Sequence, residues 1–149
     1  MLLAANRIVL QLPRHWYSTP PLLQEWQDAV LTRMVYLAFD SEGQRLRGKP
    51  VMLTVTAGSR ADAYRRGGAN LMPLADILAP LRASANRCGL VMAEPFLLCE
   101  ADELTAAERD ATAADHAWAL TRWIDVTTPA EVRRCRGMIR CAFCRATRR

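Results

Sequence analysis

Three short apolar runs punctuate the chain, each followed by a longer segment in which apolar residues return at helical spacing. The first run, Arg7-Ile8-Val9-Leu10-Gln11-Leu12, reads as a strand. Behind it, Leu22, Leu23, Trp26, Ala29 and Val30 put one face of a helix over 22–33 against a core. Pro20 and Pro21 suit its first positions, where a missing N–H costs nothing. A polar connector over 34–48 follows, with a turn at Asp40-Ser41-Glu42-Gly43. Val51-Met52-Leu53-Thr54-Val55-Thr56 is a second, buried strand, closed by the small-residue turn Ala57-Gly58-Ser59. After a loop over 60–72, Pro73 opens a helix through Leu74, Ile77, Leu78 and Leu81. It ends at Arg87-Cys88-Gly89, a cation and a glycine suited to a helix C-terminus. A third strand covers about 90–99, and Pro95 marks it as an edge strand or an interrupted one. Thr105-Ala106-Ala107-Glu108 is a capping-box pattern. Leu104, Ala107, Ala111, Ala114 and Trp118 then predict a last helix to about Ile124. Such alternation implies an α/β fold with a parallel sheet and helices on its faces.

This order places Pro13-Arg14-His15-Trp16-Tyr17-Ser18 where a strand's carboxyl end turns into a helix. In open α/β sheets that crevice is where ligands bind. Two large aromatics, an imidazole and a guanidinium there suit a flat ligand with polar edges. The same Trp-Tyr pair also suits a core anchor whose polar tips are satisfied. Both readings stand on residue types alone.

At 149 residues the chain is long enough for one domain with a core. No apolar run approaches the ~18 residues of a membrane span, and Met1-Leu2-Leu3-Ala4-Ala5 is too short for a signal segment. A cytoplasmic protein is expected. The net charge of +5 is concentrated at one end: residues 133–149 hold seven arginines and no acid, leaving the first 132 at −2. The domain itself therefore lacks the footprint of a specific nucleic-acid binder. The helical pattern fails at Asp125, so a domain over 1–124 and an Arg/Cys-rich, disordered tail over 125–149 are expected. Five cysteines, an odd count, are expected as free thiols. Cys141 and Cys144, with Cys135, make only half of a zinc pattern, and no metal site is expected.

The run Ile8 to Pro13, then Trp16-Tyr17-Ser18-Thr19-Pro20, Leu22-Leu23, Trp26-Gln27-Asp28 and Val30-Leu31-Thr32, resembles the flavodoxin-like NAD(P)H:quinone oxidoreductases. It is most similar to the bacterial branch that includes ancillary oxidoreductases of glutathione-gated potassium efflux systems. Leu46-Arg47-Gly48-Lys49, Val55-Thr56-Ala57-Gly58 and Tyr64 through Gly68-Ala69-Asn70 follow in the same order. The resemblance implies a three-layer flavodoxin-like sandwich. It also implies an FMN or FAD cofactor, NAD(P)H as electron donor and a quinone or other small electrophile as acceptor. A homodimer with the flavin at its two-fold interface is implied too, as is a potassium-efflux transporter as a partner at the inner face of the membrane.

Residue by residue, the resemblance places Pro13, Arg14, His15, Trp16 and Tyr17 along the flavin ring, with backbone amides near its N5 side. Thr56, Ala57 and Gly58 meet the pyrimidine end, and Tyr64 lies near the flavin. Tyr64 and His15 are the catalytic candidates; an imidazole at His15 could donate a proton to a quinone oxygen. The chain departs from the family at several of these positions. Asn70 stands where some members carry histidine, and an amide cannot relay a proton. Ala57 replaces a usual threonine, and Arg14 and His15 replace apolar or amide residues. Members also carry a phosphate-binding strand, turn and helix before the segment matching Arg7. On that ground the chain is expected to be N-terminally truncated, weak in flavin binding and prone to associate. A non-catalytic remnant or interaction module retaining the second half of the fold is the competing reading.

Overall fold

A computed structural model describes residues 2–127. The tail beyond, with Cys135, Cys141 and Cys144, lies outside the described residues. At the centre runs β2, Pro50–Thr56, whose residues are buried from Pro50 through Val55. β1, Ile8–Pro13, pairs with it in parallel, from Ile8 opposite Val51 to Pro13 opposite Thr56. On its other side lie β3, Val91–Met92, and β4, Phe96–Leu98, both parallel to β2. These are the two halves of the expected third strand, and the spatial order follows the chain. The gap between them contains Pro95, which has no N–H to give the ladder.

Alternation along β2 divides the molecule into layers. Val51, Leu53 and Val55 pack with Ile8, Leu12, Leu78, Leu81 and Ala85 on one face. Thr54 points to the other face, where its hydroxyl lies 3.0 Å from His116 Nε2. The helices on the first face depart from the expected boundaries. α1, Pro21–Trp26, continues through two wider π-helical stretches, Gln27–Leu31 and Arg33–Leu37. Four residues assigned to the polar connector, Met34 to Leu37, are therefore helical, and Met34 is buried there. Nor does the expected apolar face hold as a whole. Leu22 is 77% exposed, Ala29 is exposed, and Leu23, Trp26 and Val30 are half-buried. The widened turns bring Leu31 and Val35 round to the core beside Val30.

The helix opened by Pro73 is split at Leu78 into α2, Leu74–Ile77, and α3, Ala79–Arg87. Pro80 at the start of α3 cannot donate the N–H that would continue the earlier helix. Lys49, the chain's single lysine, is 4% exposed. Its ammonium donates to the carbonyls of Leu2, Leu3 and Ala5, which pins the amino-terminal turn to the start of β2. Gly48, at φ +76°, takes the left-handed conformation of that approach.

α4, Ala106–Val126, opens with the expected capping box. Glu108 N–H donates to Thr105 Oγ1 at 3.3 Å, and Thr105 N–H donates to Glu108 Oε2 at 2.8 Å. Its inward face corrects the sequence reading: Ala107, Ala111 and Ala114 are exposed and Trp118 is 63% exposed. Thr112, His116, Ala119, Leu120 and the buried Trp123 turn inward instead. Alanine's frequency there reflects helix propensity, which operates on exposed faces as well as buried ones. The cap gives the first testable outcome. Thr105→Ala is expected to cost about 1 kcal/mol in a denaturant titration. The Thr105 hydrogen bonds also hold the Glu108 carboxyl below its usual range. The stability linked to it is present above the unfolded carboxyl value and is lost as pH falls through the lowered folded value.

Candidate functional site

β1 and β2 end side by side, and the chain keeps them in register one step further: Arg14 N–H donates to Thr56 O at 2.8 Å. The loop then closes tightly. His15 and Ser18 exchange backbone hydrogen bonds of 3.2 and 2.9 Å, leaving Trp16 and Tyr17 as the two central residues of a turn. Trp16 sits at φ +51° and is 86% exposed. A bulky residue in left-handed backbone costs roughly 1–2 kcal/mol, so the turn holds the indole out against its own conformational preference.

Arg14 reaches inward from this loop. Its Nη2 donates to Tyr64 Oη at 2.6 Å, and its guanidinium carbon lies 5.2 Å from the ring centres of both Tyr17 and Tyr64. Tyr64 is buried in a cluster with Ala57, Leu74 and Ile77, so the phenol is fixed from below. Tyr17 Oη donates to Asn70 Oδ1 at 3.1 Å, tying the aromatic loop to the loop ahead of α2. Arg14, Tyr17, Tyr64 and Asn70 thus form one network across two loops. Two of its donors, Arg14 Nε and Asn70 Nδ2, are buried and unpartnered. The backbone N–H groups of Trp16, Tyr17, Gly58 and Ser59 donate to no backbone carbonyl among the described residues. The two side-chain donors are buried and of the kind ordinarily satisfied; with these four N–H groups, which lie on exposed or half-buried residues, they suit a flat ring bearing carbonyl or deprotonated nitrogen edges.

The remaining expected residues surround this network unequally. Pro13 is exposed at the end of β1, Thr56 is half-buried and Ala57 is buried within Tyr64's cluster. Ala57 N–H donates to Leu98 O and its carbonyl accepts from Ala101, so the second turn is held against the end of β4. Gly58 is exposed, and a Cβ there would lie 3.0 Å from Asp102 Oδ2. His15 is exposed, with no side-chain hydrogen bond among the described residues. Cys99 packs against the Tyr64 cluster. Burial pushes its thiol up, Glu100 adds to this, and the Arg14 charge opposes both.

Two features escaped the sequence reading. One is the engagement of Arg14 with Tyr64, fifty positions away along the chain. The other is a groove of about 490 Å³ that runs from Tyr17 between the helix over 21–37 and α3 to Arg87. Its floor includes Leu12, Val55, Leu78 and Leu81. Gln24, Asp28 and Thr32 stand four residues apart along its rim, a polar line on the helix that an apolar pattern does not mark.

Comparison with known proteins places this geometry. General stress protein 14 of Bacillus subtilis is 47% identical over 92 residues, 62% of this chain and 51% of that protein. The glutathione-regulated potassium-efflux system ancillary protein KefG of Yersinia pestis is 36% identical over 117 residues, 78% of this chain and 61% of that protein. The chain thus spans about half the length of the first of these relatives. Among solved structures, general stress protein 14 of Treponema denticola in complex with FMN superposes with a TM-score of 0.68 at 30% identity. That match covers 83% of this chain and 67% of the other. An NADPH-quinone reductase from P. pentosaceus gives a TM-score of 0.67 at 26% identity, covering 76% and 66%. Among the described residues no helix is long and apolar enough to cross a membrane. The model of a family described by its flavodoxin-like fold matches residues 1–121, and the chain belongs to that family.

Proposed function

We propose that this chain supplies the ring-binding end of a flavin-dependent NAD(P)H oxidoreductase that reduces quinones or related small electrophiles. The observation that carries the reading is the convergence, at the carboxyl edge of the sheet, of the Pro13–Ser18 turn, the Thr56–Gly58 turn and the buried Tyr64. FMN is favoured over FAD because one solved relative is in complex with FMN.

A bound flavin supplies reversible uptake and release of two electrons. The protein's part is to hold and polarise. Trp16 and Tyr17 would flank the ring, and the amides of Trp16 and Tyr17 would donate to one edge of it. Gly58 and Ser59 would donate to the other. Donors fixed in place favour a ring that gains negative charge, without reorganisation during the reaction. Tyr64 Oη accepts from Arg14, which leaves its own proton to donate toward a substrate oxygen. His15, exposed at the base of the turn, is the second proton donor in this reading.

A homodimer is part of the proposal. Trp16, Tyr17, Leu22, Tyr36, Leu37, Leu71 and Met72 are exposed large apolar residues on the aromatic loop, the helix after it and the loop containing Asn70. A second copy laid over them would shelter the ring from water. A potassium-efflux transporter as partner rests on the likeness to KefG alone. The test is oxidation of NADPH by 1,4-benzoquinone with the full chain and added FMN. Protein-dependent, saturable turnover above that of FMN alone is expected. A rate equal to that of FMN alone would overturn the reading.

A further inference from the structure

The groove between the helix over 21–37 and α3 is walled by one continuous face of each. On the first helix the lining residues recur at helical spacing, from Gln24 and Asp28 through Leu31 and Val35 to Tyr36. On α3, Leu81, Ser84 and Arg87 do the same. Neighbouring helices on one sheet ordinarily pack with their axes about 8–10 Å apart and leave no such space. Here about 490 Å³ stays open between them. Its far end is bridged: Arg87 Nε donates to Tyr36 Oη at 3.3 Å, and the guanidinium carbon lies 5.3 Å from that ring's centre. The floor is apolar, for Leu12, Val55, Leu78 and Leu81 bring no polar side-chain atom to it. At the near end Tyr17 lines the groove and also belongs to the aromatic loop, so the groove and the ring-binding crevice are continuous.

The section of the groove decides what enters it. Spread over roughly 18 Å of helix from Gln24 to Tyr36, at about 1.5 Å per residue, its volume averages about 27 Å² across. A helix, about 10 Å wide, is too thick for it. An extended peptide would leave its amides unpaired, because the walls are helices whose own backbone groups are already bonded. An aliphatic chain has the right thickness and needs only van der Waals partners. We propose that the groove holds the apolar tail of a substrate whose ring lies at the aromatic loop. The inference rests on the ring-binding function proposed above and names its substrate class: quinones carrying an alkyl or prenyl chain, in preference to bare ones. The chain runs over Leu12, Val55, Leu78 and Leu81 toward Tyr36, and its burial adds affinity with the area removed from water. The Arg87–Tyr36 bridge is where it stops. With C–C bonds of about 1.5 Å in a zigzag, about fourteen carbons fill the groove.

The experiment is a set of binding titrations on the full chain, followed by intrinsic fluorescence. The probes are 2,3-dimethoxy-5-methyl-1,4-benzoquinone, its 6-pentyl and 6-decyl derivatives, and 1-decanol, a chain without a ring. A fully buried methylene contributes up to about fourfold in affinity. In a groove open on one side, the pentyl quinone is expected to bind about tenfold and the decyl quinone about a hundredfold more tightly than the bare one. Thr32→Phe and Ser84→Phe each put a ring into the groove, from opposite walls. Either should reduce the ratio of decyl to bare affinity below about tenfold, whereas Ser84→Ala should keep it. A melting temperature no lower than the parent's shows that a variant is folded, and either wall suffices for the test. Equal affinities for the three quinones, or a ratio that survives in a folded phenylalanine variant, would overturn the proposal. So would loss of the ratio as the chain is concentrated into a dimer seen by light scattering, which would give the groove to a second copy. A decyl quinone that binds no better than 1-decanol would instead overturn the ring-binding reading, and the substrate class with it.

Discussion

Leu53→Ala is expected to destabilise the chain by about 3 kcal/mol, the middle of the range for buried leucine truncations. Leu53 is fully buried at the centre of β2, with Leu12, Val55, Leu78 and Leu81 around it. These neighbours come from β1, β2 itself, α3 and the junction before it, so none can move inward without giving up its own packing. The loss therefore includes the cavity as well as the transferred methyl groups. The paired control is Leu22→Ala. Leu22 is 77% exposed although its place in the sequence pattern marked it as a core position. Its truncation should change stability by no more than about 0.5 kcal/mol. Urea titrations of the two variants decide the matter. Similar losses would mean that the helix over 21–37 is seated more deeply than its exposure indicates.

Trp16 should divide stability from binding. Trp16→Ala is expected to weaken FMN about thirtyfold, close to 2 kcal/mol, because an indole at the tip of the turn offers its whole face to a ring. Its effect on the melting temperature should be small, since the side chain is 86% exposed. Trp16→Gly sharpens the test. It removes the same ring but also relieves the strain of φ +51°, worth about 1 kcal/mol. The glycine variant should therefore melt above the parent while binding FMN as poorly as the alanine variant. Equal melting temperatures in all three would mean the turn stores no strain. Equal FMN affinity in all three would remove the indole from the site.

The strands were legible because β2 is a mostly apolar run buried on both faces, and burial leaves little room for register error. The break in the third strand was also legible, since Pro95 carries its own reason for interrupting a ladder. The capping box could be read from four residues because both of its hydrogen bonds are local. Helix faces were less legible. In α4 the alanines at 107, 111 and 114 share a spacing but are exposed. The helix rests instead on His116, which meets Thr54 and the Phe96 ring, and on Trp123. A polar His–Thr contact leaves no mark in an apolar pattern.

The candidate site divides along the same line. The loop residues Pro13 to Tyr17 were found because they sit together in sequence and resemble a family motif. That Arg14 turns inward to Tyr64 while Trp16 turns outward depends on the His15–Ser18 turn and on the burial of Tyr64. Both are tertiary facts. Asn70 was noticed only as the replacement of a histidine, whereas in the fold it anchors Tyr17.

A flavin ring is expected to sit between the two turns at the carboxyl edge of the sheet. Amide chemical-shift mapping of the full chain during titration with FMN tests this most directly. The largest changes are expected at the N–H groups of Trp16, Tyr17, Gly58 and Ser59 and at the side-chain amide of Asn70, with those of α4 beyond Trp118 unmoved. Changes centred on α4, or none at FMN concentrations that saturate the fluorescence signal, would contradict it.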